Sequence, residues 1–228
     1  MESSGLIYLV CHCATHNDAA DYPVFLGQRA RAGLSDVGAE QAARLAAYFA
    51  NKQLTAAYTS PLHRALQTVR IICEDLDIPL TFCPSLTEAD MGEWDGHTRE
   101  FIMQGAEQQY ERFVRDPGTY GYPGGENLSE VCRRALTYIN VIASKHPTDR
   151  VLIVSHEQTI RAVLAGLQSL PLHRARELDQ EPGAINLIRI FRGSMELKTV
   201  DWLGGLEEAD ENEEEDMLCD SISRQVAS

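Results

Sequence analysis

Two short, uninterrupted apolar runs, Leu6-Ile7-Tyr8-Leu9-Val10 and Val151-Leu152-Ile153-Val154, constrain this chain more than any other feature. Neither alternates with polar residues, so both read as strands buried on two faces, and such strands need helices packed above and below them. The segments between and around them supply helices. Ser35 is placed as an N-cap ahead of Val37, Ala42, Leu45, Ala46 and Phe49 at helical spacing. A short strand at Ala56–Thr59 meets Ser60-Pro61, where serine caps and proline takes the first helical position, predicting a helix to about Leu76. Arg99–Arg115 is predicted helical, as is a segment from the capping pair Asn127 and Glu130 to about Lys145, before Pro147. Two final strands, 184–191 and 195–202, predict a hairpin turning at Arg192-Gly193-Ser194. The pattern predicts an α/β fold, a three-layer α/β/α sandwich around a mostly parallel central sheet.

With 228 residues, 44 % of them hydrophobic, the chain is long enough for one full core. The net charge of −14 is unevenly placed, because residues 206–228 hold nine Asp and Glu against Arg224 alone. One folded domain over 1–205 and an acidic, disordered tail over 206–228 are therefore expected. The acidic balance argues against nucleic-acid partners, which are bound through surplus Lys and Arg. No stretch approaches the roughly 18 apolar residues of a membrane span, and Met1–Gly5 carries no mark of an export signal. Six cysteines in a chain this long, without the dense spacing of a small secreted scaffold, fit a reducing compartment, so a cytoplasmic protein is expected.

In open α/β sheets, ligands bind beyond the carboxyl ends of the strands. His12 and His156 both fall just past such an end. Around them stand Ser60-Pro61-Leu62-His63-Arg64-Ala65-Leu66-Gln67-Thr68, then Glu88 ahead of Gly92-Glu93-Trp94-Asp95-Gly96, then Gly124-Gly125-Glu126-Asn127, and Ser155-His156-Glu157. A nucleophile, a cation, a carboxyl and a second histidine are thus expected at one sheet edge.

In this order, the motifs resemble the histidine phosphatase (phosphoglycerate mutase-like) superfamily, over roughly residues 6–205. Its hallmarks are Arg-His-Gly, Ser-x-x-x-Arg-Ala-x-Gln-Thr, a Glu before Gly-x-Trp-x-Gly, Gly-Gly-Glu-Ser and Ser-His-Gly. The resemblance implies a phosphoglycerate mutase-like fold and phosphoryl transfer to His12 Nε2, followed by hydrolysis. Glu88 would protonate the leaving oxygen, and Arg64 with a protonated His156 would clamp the phosphoryl oxygens. A small phosphorylated substrate or ligand is implied, with no metal and no other cofactor. The short spacing after Gly96 favours a phosphatase over a mutase, with leaving-group specificity assigned to residues 99–122, where Arg99, Arg112 and Arg115 are candidates for reading an anion.

Three positions of the pocket depart from the pattern. Cys11 replaces the arginine before the nucleophile, Cys13 the following glycine, and Glu157 the glycine after the second histidine; Asn17 also sits one residue early, with Asp18 in its place. Losing one such donor costs about 2.7–4 kcal/mol of transition-state stabilisation, or roughly 10²–10³ in rate. The residues leave two outcomes open, a weak or specialised phosphomonoester hydrolase and a pseudophosphatase that binds a phosphorylated ligand or a partner. Cys11, His12, Cys13, His156 and Glu157 are also metal-ligand types, but Cys-x-Cys around a histidine is not a zinc pattern, so no metal is assigned. Oligomeric state leaves no mark in the sequence.

Overall fold

The computed structural model describes residues 4–202; the acidic segment 206–228 lies outside the described residues. Six strands, β1 (Gly5–Cys11), β2 (Ala56–Thr59), β3 (Leu80–Phe82), β4 (Arg150–Ser155), β5 (Ile185–Phe191) and β6 (Ser194–Trp202), form one sheet in the order β3-β2-β4-β1-β5-β6. The first four in that order run parallel, and the closing hairpin of β5 and β6 is antiparallel.

Every residue of β1 is buried, and its side chains alternate between two cores. Ile7 and Leu9 pack with Ile139, Ile142, Ile160 and Val163 from α4 (Leu128–Lys145) and α5 (Glu157–Leu167). Tyr8 and Val10 pack with Leu45, Phe49, Val69 and Ile72 from α1 (Asp36–Phe49) and α2 (His63–Ile72). Burying one such side chain contributes about 1.5–3 kcal/mol, so period-two alternation within a continuous apolar run enforces the three layers. Asn127 and Glu130 form the expected capping box at α4, each side chain 2.9 Å from the other's backbone N–H.

Two local expectations change. The helix after Ser60-Pro61 begins at His63, with Leu62 as N-cap, and ends at Ile72. Ser60 does not cap it because its Oγ lies 2.7 Å from His156 Nε2 while accepting from Leu62 N. Strand β3, not anticipated, is three residues long on the sheet edge with two exposed, too short for a legible alternation.

A third cluster lies beside the carboxyl edge of the sheet, where Met91, Trp94, Ile102, Tyr122 and Leu128 pack with Phe25, Tyr110 and Phe113. It supports α3 (Arg99–Arg115), which is broken by a non-helical Ala106 (φ −145°, ψ 36°) and buries only Ile102 fully. Two glycines fix neighbouring loops. A Cβ on Gly38 would sit 1.9 Å from the carbonyl of Ala14, so α1 can lie directly on the chain leaving β1. Gly92 has φ +52° and passes so close to Pro123 that a Cβ would meet its carbonyl at 2.0 Å.

Candidate active site

The parallel register of β1 on β4 pairs Cys11 with Ser155, and His12 N donates to Ser155 O at 3.0 Å. The two histidines that follow are therefore neighbours, with ring centroids 5.2 Å apart. His12 is 7 % exposed. Its Nδ1 lies 2.9 Å from Cys13 O, which can only accept, so Nδ1 carries the proton and Nε2 presents its lone pair. Arg64 Nε donates to that Nε2 at 3.1 Å. Burial, with the Arg64 charge behind it, pushes the His12 pKa down to about 4, keeping the imidazole neutral and nucleophilic near pH 7.

Arg64, the second residue of α2, is 1 % exposed. Its Nη2 donates to the carbonyls of Leu26 (3.0 Å) and Gly27 (3.2 Å), which fixes the plane of the guanidinium. Its Nη1 is buried with no hydrogen-bond partner among the described residues, and so is His156 Nδ1. Ser60 Oγ accepts from Leu62 N and also bonds His156 Nε2; with the hydroxyl proton on that bond, Nδ1–H is the outward donor. The expected protonated imidazole is corrected here. Burial first, then Arg64 and His12, push the His156 pKa well below its ordinary value, so it offers a neutral N–H.

Glu88 is 3 % exposed and held at the start of α5. One carboxylate oxygen accepts from Ala89 N (2.8 Å), Thr159 N (3.2 Å) and Thr159 Oγ1 (3.2 Å), the other from Gln158 N (3.1 Å). The loop beneath it is stapled by a pair that the sequence reading did not single out. Arg134 of α4 donates to the carbonyls of Ser85, Thr87 and Glu88 at 2.9–3.0 Å and grips both carboxylate oxygens of Glu126, which also accepts from Asp90 N. Burial opposes the charge on Glu126, but these hydrogen bonds prevail and hold its pKa below the ordinary range. Glu126 belongs to the Gly124-Gly125-Glu126-Asn127 motif already read around the site, while nothing in the sequence pointed to Arg134 as its partner.

A cavity of about 320 Å³ opens beside these groups, lined by Cys11, His12, Asp18, Phe25, Leu26, Glu88, Met91, Arg99, Tyr122, Glu157, Gln158 and Gln180 among others. Cys11 is in its wall, 2 % exposed, and its thiol is pushed well up by burial and by Glu157 and Glu88, so it stays neutral. Cys13, expected as an altered pocket position, does not line the cavity. Its side chain is fully buried in the core with Val10 and Leu45, while its backbone N–H donates to Thr68 Oγ1.

Glu157 does face the cavity, but as an ion pair with Arg161 one turn along α5, and burial raises its pKa, so its repulsion of an anion is blunted. Asn17 and Asp18 line the cavity and staple its loop, Asn17 to both backbone groups of Val24 and Asp18 to the N–H and hydroxyl of Thr15. Arg99 lines the mouth over the Tyr110 ring at 5.6 Å; Arg112 and Arg115 are exposed and outside it. Among the described residues no group of three His, Cys, Asp or Glu is placed to hold a metal ion.

The family model described as histidine phosphatase superfamily (branch 1) matches residues 7–202. Among curated relatives, phosphoserine phosphatase 1 of Hydrogenobacter thermophilus is 29 % identical over 141 residues, covering 62 % of this chain and 67 % of that protein. "Probable phosphoglycerate mutase GpmB" of Yersinia pestis is 27 % identical over 172 residues, covering 75 % and 79 %. Among solved structures, Bacillus stearothermophilus YhfR superposes with a TM-score of 0.79 at 27 % identity, covering 86 % of this chain and 96 % of that one.

Proposed function

Because the chain belongs to the histidine phosphatase superfamily, we propose that it hydrolyses small phosphomonoesters through a phosphohistidine on His12. The observation that carries this reading is the pair of buried, partnerless polar atoms, Arg64 Nη1 and His156 Nδ1, beside a neutral His12 whose unprotonated Nε2 is oriented by Arg64 Nε. Buried polar atoms without partners are rare, and both belong to side chains next to His12, Arg64 through its Nε and His156 with its ring 5.2 Å away.

In the first step the His12 Nε2–phosphorus bond forms and the bond from phosphorus to the ester oxygen breaks, with the Glu88 carboxyl supplying the proton that oxygen takes. In the second, water attacks phosphorus, Glu88 takes its proton, and the phosphorus–nitrogen bond breaks to release phosphate. Arg64 and His156 stabilise the equatorial oxygens throughout, and His12 Nδ1–H stays on Cys13 O. Curated relatives named as phosphatase and as mutase both match, and hydrolysis is favoured here by the short spacing after Gly96. Among the described residues no helix is long and apolar enough to cross a membrane. The free thiols of Cys11, Cys13, Cys73, Cys83 and Cys132 fit the cytoplasm.

Cys11 favours a second reading, a pseudophosphatase that binds a phosphorylated ligand without turnover, since a neutral thiol lines the wall where an arginine fork would bind phosphate. Phosphate release from an aryl phosphate between about pH 5 and 7 separates the two. A loss of about 10³-fold or more in His12→Ala is expected; equal release by native chain and variant would leave the binder.

A further inference from the structure

The polar groups of the cavity wall are nearly all committed to the protein itself. Asn17 uses its amide on Val24, Gln180 pairs with Asn186, Gln158 bonds Glu157, and Glu157 bonds Arg161. Tyr122 differs. It is 5 % exposed and lines the cavity, yet its hydroxyl has no hydrogen-bond partner among the described residues. Its ring cannot swing elsewhere, being wedged against Phe113, Trp94 and Phe25 at centroid distances of 4.6, 5.8 and 6.3 Å. Its backbone is pinned as well, with N–H to Glu126 O at 3.0 Å and C=O from Gly125 N at 2.9 Å. The hydroxyl is not among the fully buried polar atoms, so the cavity reaches it, and a phenol O–H that no protein group engages, on a ring fixed in a ligand cavity, is available to a ligand.

Resting on the hydrolase reading above, we infer that Tyr122 is a specificity-determining residue whose hydroxyl binds a hydroxyl group on the alcohol part of the substrate, selecting small hydroxylated phosphomonoesters. The apolar side chains of Phe25, Leu26 and Met91 in the same lining suit the carbon skeleton of such an alcohol. Burial holds the Tyr122 phenol well above its ordinary pKa, so it remains a proton donor throughout the working range. A site built to hydrogen-bond a substrate hydroxyl rejects the analogue lacking it far more strongly than an apolar pocket rejects a missing methylene.

The test compares glycerol 3-phosphate with propyl phosphate, which has the same carbon chain without the hydroxyls. The native chain is expected to favour glycerol 3-phosphate at least tenfold in kcat/KM, and Tyr122→Phe, which keeps the ring contacts, to bring that preference within threefold. A native preference below threefold, or an unchanged preference in Tyr122→Phe, overturns the inference. Phenyl phosphate turnover by native chain and His12→Ala, run in parallel, judges the hydrolase reading separately. If that reading fails, calorimetric binding of the same two esters to native chain and Tyr122→Phe decides on the same ratios, and binding of neither overturns the inference too.

Discussion

The floor and the wall of the cavity are built on different terms. The floor group, His12, Arg64, Ser60 and His156, sits on the carboxyl edge of the sheet; His12 alone of the four lines the cavity, His12, Arg64 and Ser60 bond backbone groups, and His156 bonds Ser60 Oγ. The wall comes mostly from loops, with Cys11 from the end of β1, Arg99 from α3 and Glu157 from the start of α5; it is held by side-chain pairs such as Glu157 with Arg161, and Cys11 and Glu157 are two of the departures from the family pattern. The core thus guarantees where phosphoryl chemistry can occur, while affinity and substrate choice rest on parts that can change without unfolding the protein.

The largest effect that would sharpen this contrast is on stability in acid. Above pH 6.5 His12 is neutral in both folded and unfolded chains; between 6.5 and about 4 the unfolded chain takes up the proton and the folded one does not. Stability is therefore expected to be flat above pH 6.5 and to fall by up to about 3 kcal/mol on the way to pH 4, with His156 adding in the same direction. Urea unfolding of native chain and His12→Asn across that range checks it, and equal slopes would remove His12 as the source.

Next is the staple at the junction of floor and wall. Arg134→Ala frees the carbonyls of Ser85, Thr87 and Glu88 and leaves Glu126 unpaired. Misplacing Glu88 is expected to lower kcat about 10²-fold with little change in KM. Partial recovery of kcat is expected in Arg134→Lys. A fall in Tm with kcat intact would assign Arg134 to stability alone.

The smallest effects separate the two cysteines. Cys11→Arg, in the wall, is expected to raise kcat/KM at least about tenfold, below the roughly 10²–10³ of one full oxyanion donor. Cys13→Gly, in the core, is expected to cost about 1–2 kcal/mol by chemical denaturation and to leave the Cys11→Arg gain in place. If Cys13→Gly raised activity instead, the boundary drawn here between wall and core would be misplaced.

Those cysteines also mark where the sequence stops being legible. The paired placement of His12 and His156 could be read because it depends on two apolar runs and on where parallel strands end. The side chain of Cys13 could not. Residues two apart share a face only while the strand continues, and β1 ends at Cys11, after which the chain turns and Cys13 drops into the opposite core. Arg134 escaped notice because its partners, apart from Glu126, lie more than forty residues away in sequence, and Tyr122 because the meaning of its hydroxyl depends on what surrounds it.

The break at Ala106 gives α3 two halves with separate obligations. Residues 107–115 carry Tyr110 and Phe113, which prop Trp94 and Tyr122 from behind. The stretch 99–105 carries Arg99 at the cavity mouth and, apart from Ile102, is largely exposed. A randomised library confined to 99–105, with Ile102 retained, would therefore vary what the protein admits while the aromatic props stay in place. New substrate scope could be selected from this chain without first repairing its fold.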